Sequence, residues 1–498
     1  MSATATQRPT PTKQRSYLGV FTLAMLAAAA MVTSLRGLSM LAKVELTMFV
    51  YIAFAVIVFL IPAALVAAEL GGAFTKSKGG VYEWIGEAFG QRWGFLAIWL
   101  QWIQNVVWYP VGLAFAAAAA AFAIQKPELA GNHIYVGLFC IIVYWLATFI
   151  ALAGTKIFAK VAKFGFILGT AVPGILLLGL FVYWVVSGNQ PAWDATDAPA
   201  VADGFDSPRF FPQITGLSNI AFLAGILLLF AGVEVQAVHV KELKKPKSQF
   251  PAAMLIAAVV AVVIFALGTL AVAGMVPYDK IDLTTGVFDA FQNAFTALGV
   301  GAWAISIVSI FVCFGAIAGV LAWITGPSKG LLETAEDGLL PPWLQKTNKR
   351  GIQLHILWVQ GGIVTLISTV YFFIDNVSVA FFLITVMAIS VYIIMYLFMF
   401  AAGIRLRYSH PELPRSFKIP LGNAGMWMVA GLGFIGMAFA LVLSFVPPSQ
   451  LPVGSPALYI GLVSAGTIIF VGLPLIIHAR RKPSWLVKPK PETEEQAT

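Results

Sequence analysis

Twelve long apolar runs constrain this chain before any other feature does. They cover roughly residues 17–42, 44–70, 94–124, 133–153, 158–187, 215–240, 250–276, 297–325, 353–374, 378–404, 425–446 and 456–479. A helix rising about 1.5 Å per residue needs about 20 residues to cross a hydrocarbon layer about 30 Å thick, and each run is of that order. Inside such a layer every backbone N–H and C=O must be satisfied within the protein, so the runs read as helices. Of the 498 residues, 59% are hydrophobic and 11% charged. Ordinary soluble domains are nearer 25% charged. The expected class is an all-α integral membrane protein with lipid as its solvent.

Lysine and arginine set the expected topology. With the N-terminus cytoplasmic, 26 of the 31 Lys and Arg fall in the two tails and the inner loops, and only Lys126, Arg209 and Lys280 fall in outer loops. One miscounted span would scramble every later loop, so the asymmetry supports twelve spans with both termini inside. The net charge of +9 is a product of this bias and not a nucleic-acid surface. The outer loop 188–213 instead carries Asp194, Asp197, Asp203 and Asp206. Residues 1–16 form a polar tail, and the apolar run after it reads as a first span with no cleavage site. Residues 481–498 form a second cytoplasmic tail rich in proline and charge.

Smaller features fill in the plan. Segment 71–92 reads as an inner, partly helical amphipathic stretch, and 405–424 as a polar connector. Pro62, Pro110 and Pro173 mark expected kinks. Trp84, Trp93, Trp99 and Trp102 lie near span ends and read as interfacial anchors. Cys140 and Cys313 sit inside apolar spans with no spacing for a metal or a framework, and no cofactor or metal is expected. No nucleophile–base pair, phosphate loop or zinc motif appears, so nothing points to an enzyme.

Two spans carry what an uninterrupted helix would avoid. In the sixth, Phe230-Ala231-Gly232-Val233-Glu234 puts a glycine and a carboxylate near mid-membrane. A charge there costs on the order of 3 kcal/mol on insertion scales and is rarely present without a use. In the first, a run of alanines gives way to Thr33, Ser34, Arg36 and Gly37. Both positions fit a broken helix, whose free N–H and C=O groups bind the carboxylate and ammonium of an amino acid. Breaks at the centres of the first and sixth spans imply a 5+5 inverted repeat, about 17–187 and 214–405, within one transporter domain over 17–480. The last two spans, about 425–479, are appended to it.

Other candidates surround the breaks. Glu234 reads as a proton carrier or ammonium ligand, or as a hydrogen-bond anchor for the break. Arg36 faces an acidic substrate group or guards the outer side; alternatively it snorkels to the outer interface or pairs with Glu45. His239, near the inner end of the sixth span, reads as interfacial. Gln101, Gln104, Asn105 and Trp108 share one face of the third span and line a path or bond to neighbouring helices. Tyr392 and Tyr396, four apart, share a face of the tenth. Lys163, in the first turns of the fifth span, is one more inner charge, or else an ammonium standing where a sodium ion would sit.

At these residues the chain resembles the amino acid–polyamine–organocation superfamily over nearly its whole length. The resemblance is carried by FAGVEVQAVHVKELKKPKSQFPAAM, AAELGGAFTKSKGGVYEWIGEAFG and TAEDGLLPPWLQKTNKRG. Within it, RWGFLAIWLQWIQ, AGTKIFAKVAKFGF, GPSKG and YSHPELPRSFKIP look most like the bacterial glutamate/γ-aminobutyrate antiporter group. The resemblance implies alternating access with spans 1 and 6 broken. It matches Glu234 to a sixth-span glutamate, Lys163 to a lysine that replaces a sodium site, and Tyr392 and Tyr396 to tyrosines tied to transport. Trp323 falls where arginine/agmatine exchangers stack a tryptophan on the substrate. The chain departs from the group at Gly319, where an acidic residue is usual, and at Thr33, Ser34 and Arg36, which replace aromatic and acidic residues.

The expected function is amino acid transport across the cytoplasmic membrane, sodium-independent exchange or proton-coupled, with glutamate/γ-aminobutyrate antiport favoured. The expected partners are an amino acid substrate, protons and the bilayer, for a protein acting as monomer or homodimer. A proton- or sodium-coupled permease for neutral amino acids or amines, and a membrane amino acid sensor, are the alternatives.

Overall fold

The computed structural model describes residues 19–32, 34–74, 80–153, 161, 164–194, 210–212, 214–235 and 243–486. Its helices follow the apolar runs. Among the described residues eleven helices are long and apolar enough to cross a membrane, and the pair Val20–Met31 and Arg36–Ala42, bent by 64°, makes a twelfth span. After this broken first span come Glu45–Ala73, Gln91–Ala123, His133–Ala153 and Phe164–Val186 as spans 2 to 5. Spans 6 to 10 are Leu217–Val235, Pro246–Met275, Trp303–Asp337, Leu354–Phe373 and Val377–Ser409. Gly422–Ser444 and Pro456–Ala479 close the bundle as spans 11 and 12. Spans 8 and 10 run past their apolar stretches, because turns carrying Lys329, Glu333, Arg405 and Arg407 continue the helix beyond them.

Spans 3 and 10 are almost wholly buried, whereas span 12 is mostly exposed on the outside of the bundle. Span 8 lies along span 3, span 6 against span 10, and the first span along span 7. Two further helices do not cross. Val81–Phe89 is amphipathic, as segment 71–92 predicts, and packs its Trp84 and Ile85 face across spans 3 and 10. Gly286–Ala297 buries Val287, Phe288 and Phe291 and packs against spans 5, 7 and 8, with Phe288 against Phe115 and Phe122 of span 3.

The prolines act in two ways. Pro62 and Pro173 each follow a wide turn of π-helix, Ala55–Leu60 and Ile167–Ala171. A wider turn accommodates the missing N–H and the ring without ending the span. Pro110 sits inside a helix that is continuous from Gln91 to Ala123, so no break follows from it.

Spans 5 and 8 approach through small residues. A Cβ added to Gly169 would lie 2.3 Å from the Gly315 Cα, and one added to Gly165 would lie 2.1 Å from the Ala318 Cβ. Such a seam lets backbones pack in lipid, where no hydrophobic drive joins helices.

Two expectations change. Trp84, Trp99 and Trp102 are buried instead of anchored at an interface. The Trp102 indole donates to the Gln360 side chain at 2.7 Å and the Trp99 indole to the Phe470 carbonyl at 3.1 Å. Helices packed around span 3 supply the partners that an interface would otherwise provide. The stretch 405–424 is also more than a connector. Arg407 donates to both carboxylate oxygens of Glu69, at 2.5 and 2.7 Å, and Arg415 reaches the same group at 3.1 Å. The Ile419 amide adds a fourth donor at 2.8 Å. Glu69 ends span 2, so this cluster ties spans 2 and 10 together at one end of the bundle.

Candidate functional site

The sixth-span helix stops at Leu229. Phe230 and Ala231 close it with tighter bonds back to Leu227 and Leu228. Gly232 then takes φ 105°, a left-handed conformation that other residues adopt only with strain. A single 3-10 turn, closed by the Val235 amide on the Gly232 carbonyl, carries Val233 and Glu234. The first span is interrupted beside it. Val32 leaves the helical region at φ −95°, ψ 67°, and the chain restarts as a helix at Arg36. A Cβ on Gly37 would meet the Leu229 side chain at 2.7 Å, and one on Gly232 would lie 3.9 Å from the Ala30 carbonyl. The two breaks therefore face one another.

Glu234 is 1% exposed. Both Tyr392 and Tyr396 donate their hydroxyls to it, one to each carboxylate oxygen, and Gln101 donates an amide N–H at 3.2 Å. The Tyr396 hydroxyl also accepts from the Gly232 amide at 3.1 Å. Hydrogen bonds to an ionised acceptor in a low-dielectric interior are the strong kind. They let a carboxylate stand at mid-bundle and pin the break to span 10.

Two cavities meet here. The larger, about 970 Å³, runs from Phe21, Gly80, Lys329 and Glu333 at one end of the bundle to Gln101 and Glu234. The smaller, about 40 Å³, lies among Arg36, Gln104, Trp108, Gly232 and Tyr392. Ala30 and Trp323 line both and so stand between them. The Tyr109 hydroxyl holds the Trp323 carbonyl at 2.8 Å, which fixes the backbone that carries the indole.

The residues singled out in the sequence fall into three groups. Arg36, Gln104, Ala231, Gly232, Trp323 and Tyr392 line the small chamber, and Glu234 and Trp323 the large cavity. Ser34, Gly37, Val233 and Tyr396 are buried around the breaks and line neither. Thr33, Lys163 and His239 lie outside the described residues. Arg36 is 6% exposed with its guanidinium 5.1 Å from the centre of the Trp108 ring, so it does not snorkel to an interface. Gly319 lines the large cavity. The sequence reading missed the mouth residues Lys329 and Glu333, which entered it only as charges or not at all. Their four-residue spacing at the end of an apolar run was the available signal.

At the opposite end, Lys43 donates to the Tyr278 carbonyl at 3.2 Å, and Ser378 donates to Asp282 at 2.6 Å. These contacts join the first span and span 10 to the loop before Gly286. Among the described residues, no group of His, Cys, Asp and Glu is arranged to hold a metal.

The family model described as amino acid permease matches residues 18–472. An uncharacterized transporter of Legionella pneumophila is 37% identical over 460 residues, covering 92% of this chain and 96% of that protein. A glutamate/gamma-aminobutyrate antiporter of Lactococcus lactis subsp. lactis is 29% identical, covering 94% of this chain and 90% of its own length. A probable agmatine/putrescine antiporter of the same organism is 23% identical, covering 86% and 87%.

Proposed function

This chain belongs to the amino acid permease family and transports amino acids across a membrane, and on that premise we propose that it works as a sodium-independent exchanger of the glutamate/γ-aminobutyrate type in the cytoplasmic membrane. The observation that carries the proposal is Glu234. It is a buried carboxylate at the end of a large open cavity, beside both helix breaks, held by two tyrosines of span 10. Protonating it turns one of its accepting oxygens into a donor. The protonated oxygen accepts a tyrosine proton more weakly, which loosens span 6 from span 10. That links a proton or a substrate ammonium at Glu234 to movement of the break.

In this proposal the basic end of the bundle and both termini are cytoplasmic, a reading that the excess of Lys and Arg in the inner loops supports. The 970 Å³ cavity then opens inward past Lys329 and Glu333. The Lys43–Tyr278 and Ser378–Asp282 contacts close the outer end, so this conformation is inward-open. In the proposed cycle substrate occupies the space among Thr33, Ser34, Arg36 and Gly37 of the first break and Ala231, Gly232 and Val233 of the sixth. Gln104, Tyr392 and Tyr396 flank it, and Trp323 swings as the partition. Lys163 takes the role of a fixed ammonium in place of sodium. The antiporter relative supports exchange as the mode.

Purified protein in liposomes tests this. Uptake of labelled glutamate should rise at least several-fold when the lumen holds glutamate or γ-aminobutyrate, and should be the same in sodium and in choline. Uptake that needs a sodium gradient, or that ignores the lumenal amino acid, would refute the proposal.

A further inference from the structure

The small chamber beside the breaks holds a cation, and no acidic residue lines it among the described residues. Arg36 is 6% exposed, and its Nε and Nη1 groups have no hydrogen-bond partner among the described residues. Its guanidinium carbon lies 5.1 Å from the centre of the Trp108 ring. A cation–π contact contributes about 0.5–2 kcal/mol, whereas burying an ion costs several kcal/mol unless an opposite charge and hydrogen bonds answer it. A buried guanidinium with unpartnered nitrogens calls for an anionic acceptor, and a carboxylate is the one its donors match best.

Size and charge say which carboxylate. The chamber's volume is about 40 Å³. A buried water occupies about 10–15 Å³ on such a measure, so the space suits one terminal group and not a whole amino acid. None of the residues lining the chamber is acidic, and Arg36 sits in its wall. An ammonium is therefore unwelcome there, which excludes an α-carboxylate with its ammonium one carbon away. The acid, Glu234, stands on the far side of Trp323, in the large cavity. We propose that Arg36, beside Trp108, receives the carboxylate that is remote from the substrate's ammonium, the side-chain carboxylate of an acidic amino acid. Arg36 then selects acidic substrates, with the ammonium end turned toward Glu234. Gln104, in the chamber wall, offers its amide group to the same carboxylate.

This inference rests on the amino acid exchange proposed above, and the test separates the two. Exchange of glutamate, glutamine and γ-aminobutyrate is measured in liposomes for the wild type, Arg36→Gln and Arg36→Lys. Ligand-induced shifts in Tm are read on the same detergent-purified proteins. The wild type should prefer glutamate to glutamine, and Arg36→Gln should lower the glutamate-to-glutamine ratio of kcat/KM by about tenfold or more, chiefly through KM. γ-Aminobutyrate, whose carboxylate is remote from its ammonium, should follow glutamate, and Arg36→Lys should recover part of the ratio. Glutamate should raise the Tm of the wild type and not that of Arg36→Gln. Equal losses for glutamate and glutamine in a monodisperse Arg36→Gln protein would overturn the inference, as would stabilisation of the wild type by chloride alone with no preference for glutamate. Exchange of none of the three by the wild type would instead refute the exchange reading.

Discussion

The Tyr396 hydroxyl sits 3.1 Å from the Gly232 amide, which donates to it, while its own proton goes to Glu234. One phenol on span 10 thus satisfies an N–H that the broken helix exposes and donates to the carboxylate two residues later. Tyr392 donates to Glu234 and lies against Tyr396, their ring centres 4.8 Å apart.

The two tyrosines should therefore differ when altered. Tyr396→Phe loses a bond on each side and leaves the Gly232 N–H unpaired in the interior, a cost of about 1–3 kcal/mol. Tyr392→Phe removes one donor and leaves the break's backbone paired. Thermal unfolding in detergent should give the lower Tm for Tyr396→Phe, with both variants slowed in exchange. Indistinguishable Tm values would show that the Gly232 bond contributes nothing.

The Glu69 cluster makes a separate claim about stability. Glu69 is 1% exposed and meets two guanidiniums, those of Arg407 and Arg415. Removing one partner of a buried ion pair costs about 3–5 kcal/mol, because the other charge is stranded. Glu69→Gln and Arg407→Gln should each lower Tm and yield, and the double variant should lose much less than the sum. Additive losses in a double-mutant cycle would mean that the pair does not act as a unit.

Asp289 lies on the non-spanning helix Gly286–Ala297 and gives a pH signature. Burial, helped by the negative charge of Asp282, raises its carboxyl from 3.8 to about 6, against the bond from the Thr285 hydroxyl. The folded protein thus holds this proton more tightly than the unfolded chain does. The resulting stability is full below pH 3.8 and is lost as pH rises through about 6. Asp289→Asn should raise Tm at pH 7.5, and that advantage should shrink at pH 4.5. A Tm difference that is constant between the two values would contradict the assignment.

Much of this architecture could be read in the chain, because lipid makes its demands locally. Apolar length gave the spans and the helix-weakening residues near Gly232 and Thr33–Gly37 gave the breaks, since both are consequences of neighbouring residues. The shared face of Tyr392 and Tyr396 followed from their four-residue spacing. Their acceptor did not, because Glu234 is 158 and 162 residues away and helical periodicity says nothing about partners on other spans. Arg407 and Arg415 were read as loop charges for the same reason. Charge counting registers the side of the membrane, and Glu69 lies 338 residues before Arg407. Trp99 and Trp102 look like interfacial anchors by position, and only the helices packed around span 3 put them inside.

The central claim is that Glu234 couples the break to movement of substrate, and counterflow with Glu234→Gln tests it most directly. Liposomes loaded with unlabelled glutamate and diluted into labelled glutamate should show a transient overshoot with the wild-type protein. Glu234→Gln, which keeps the size and one accepting oxygen but not the charge, should fold to a monodisperse protein and show no overshoot or one greatly reduced at every pH tested. Wild-type overshoot in Glu234→Gln, unchanged between pH 5 and pH 8, would contradict the account.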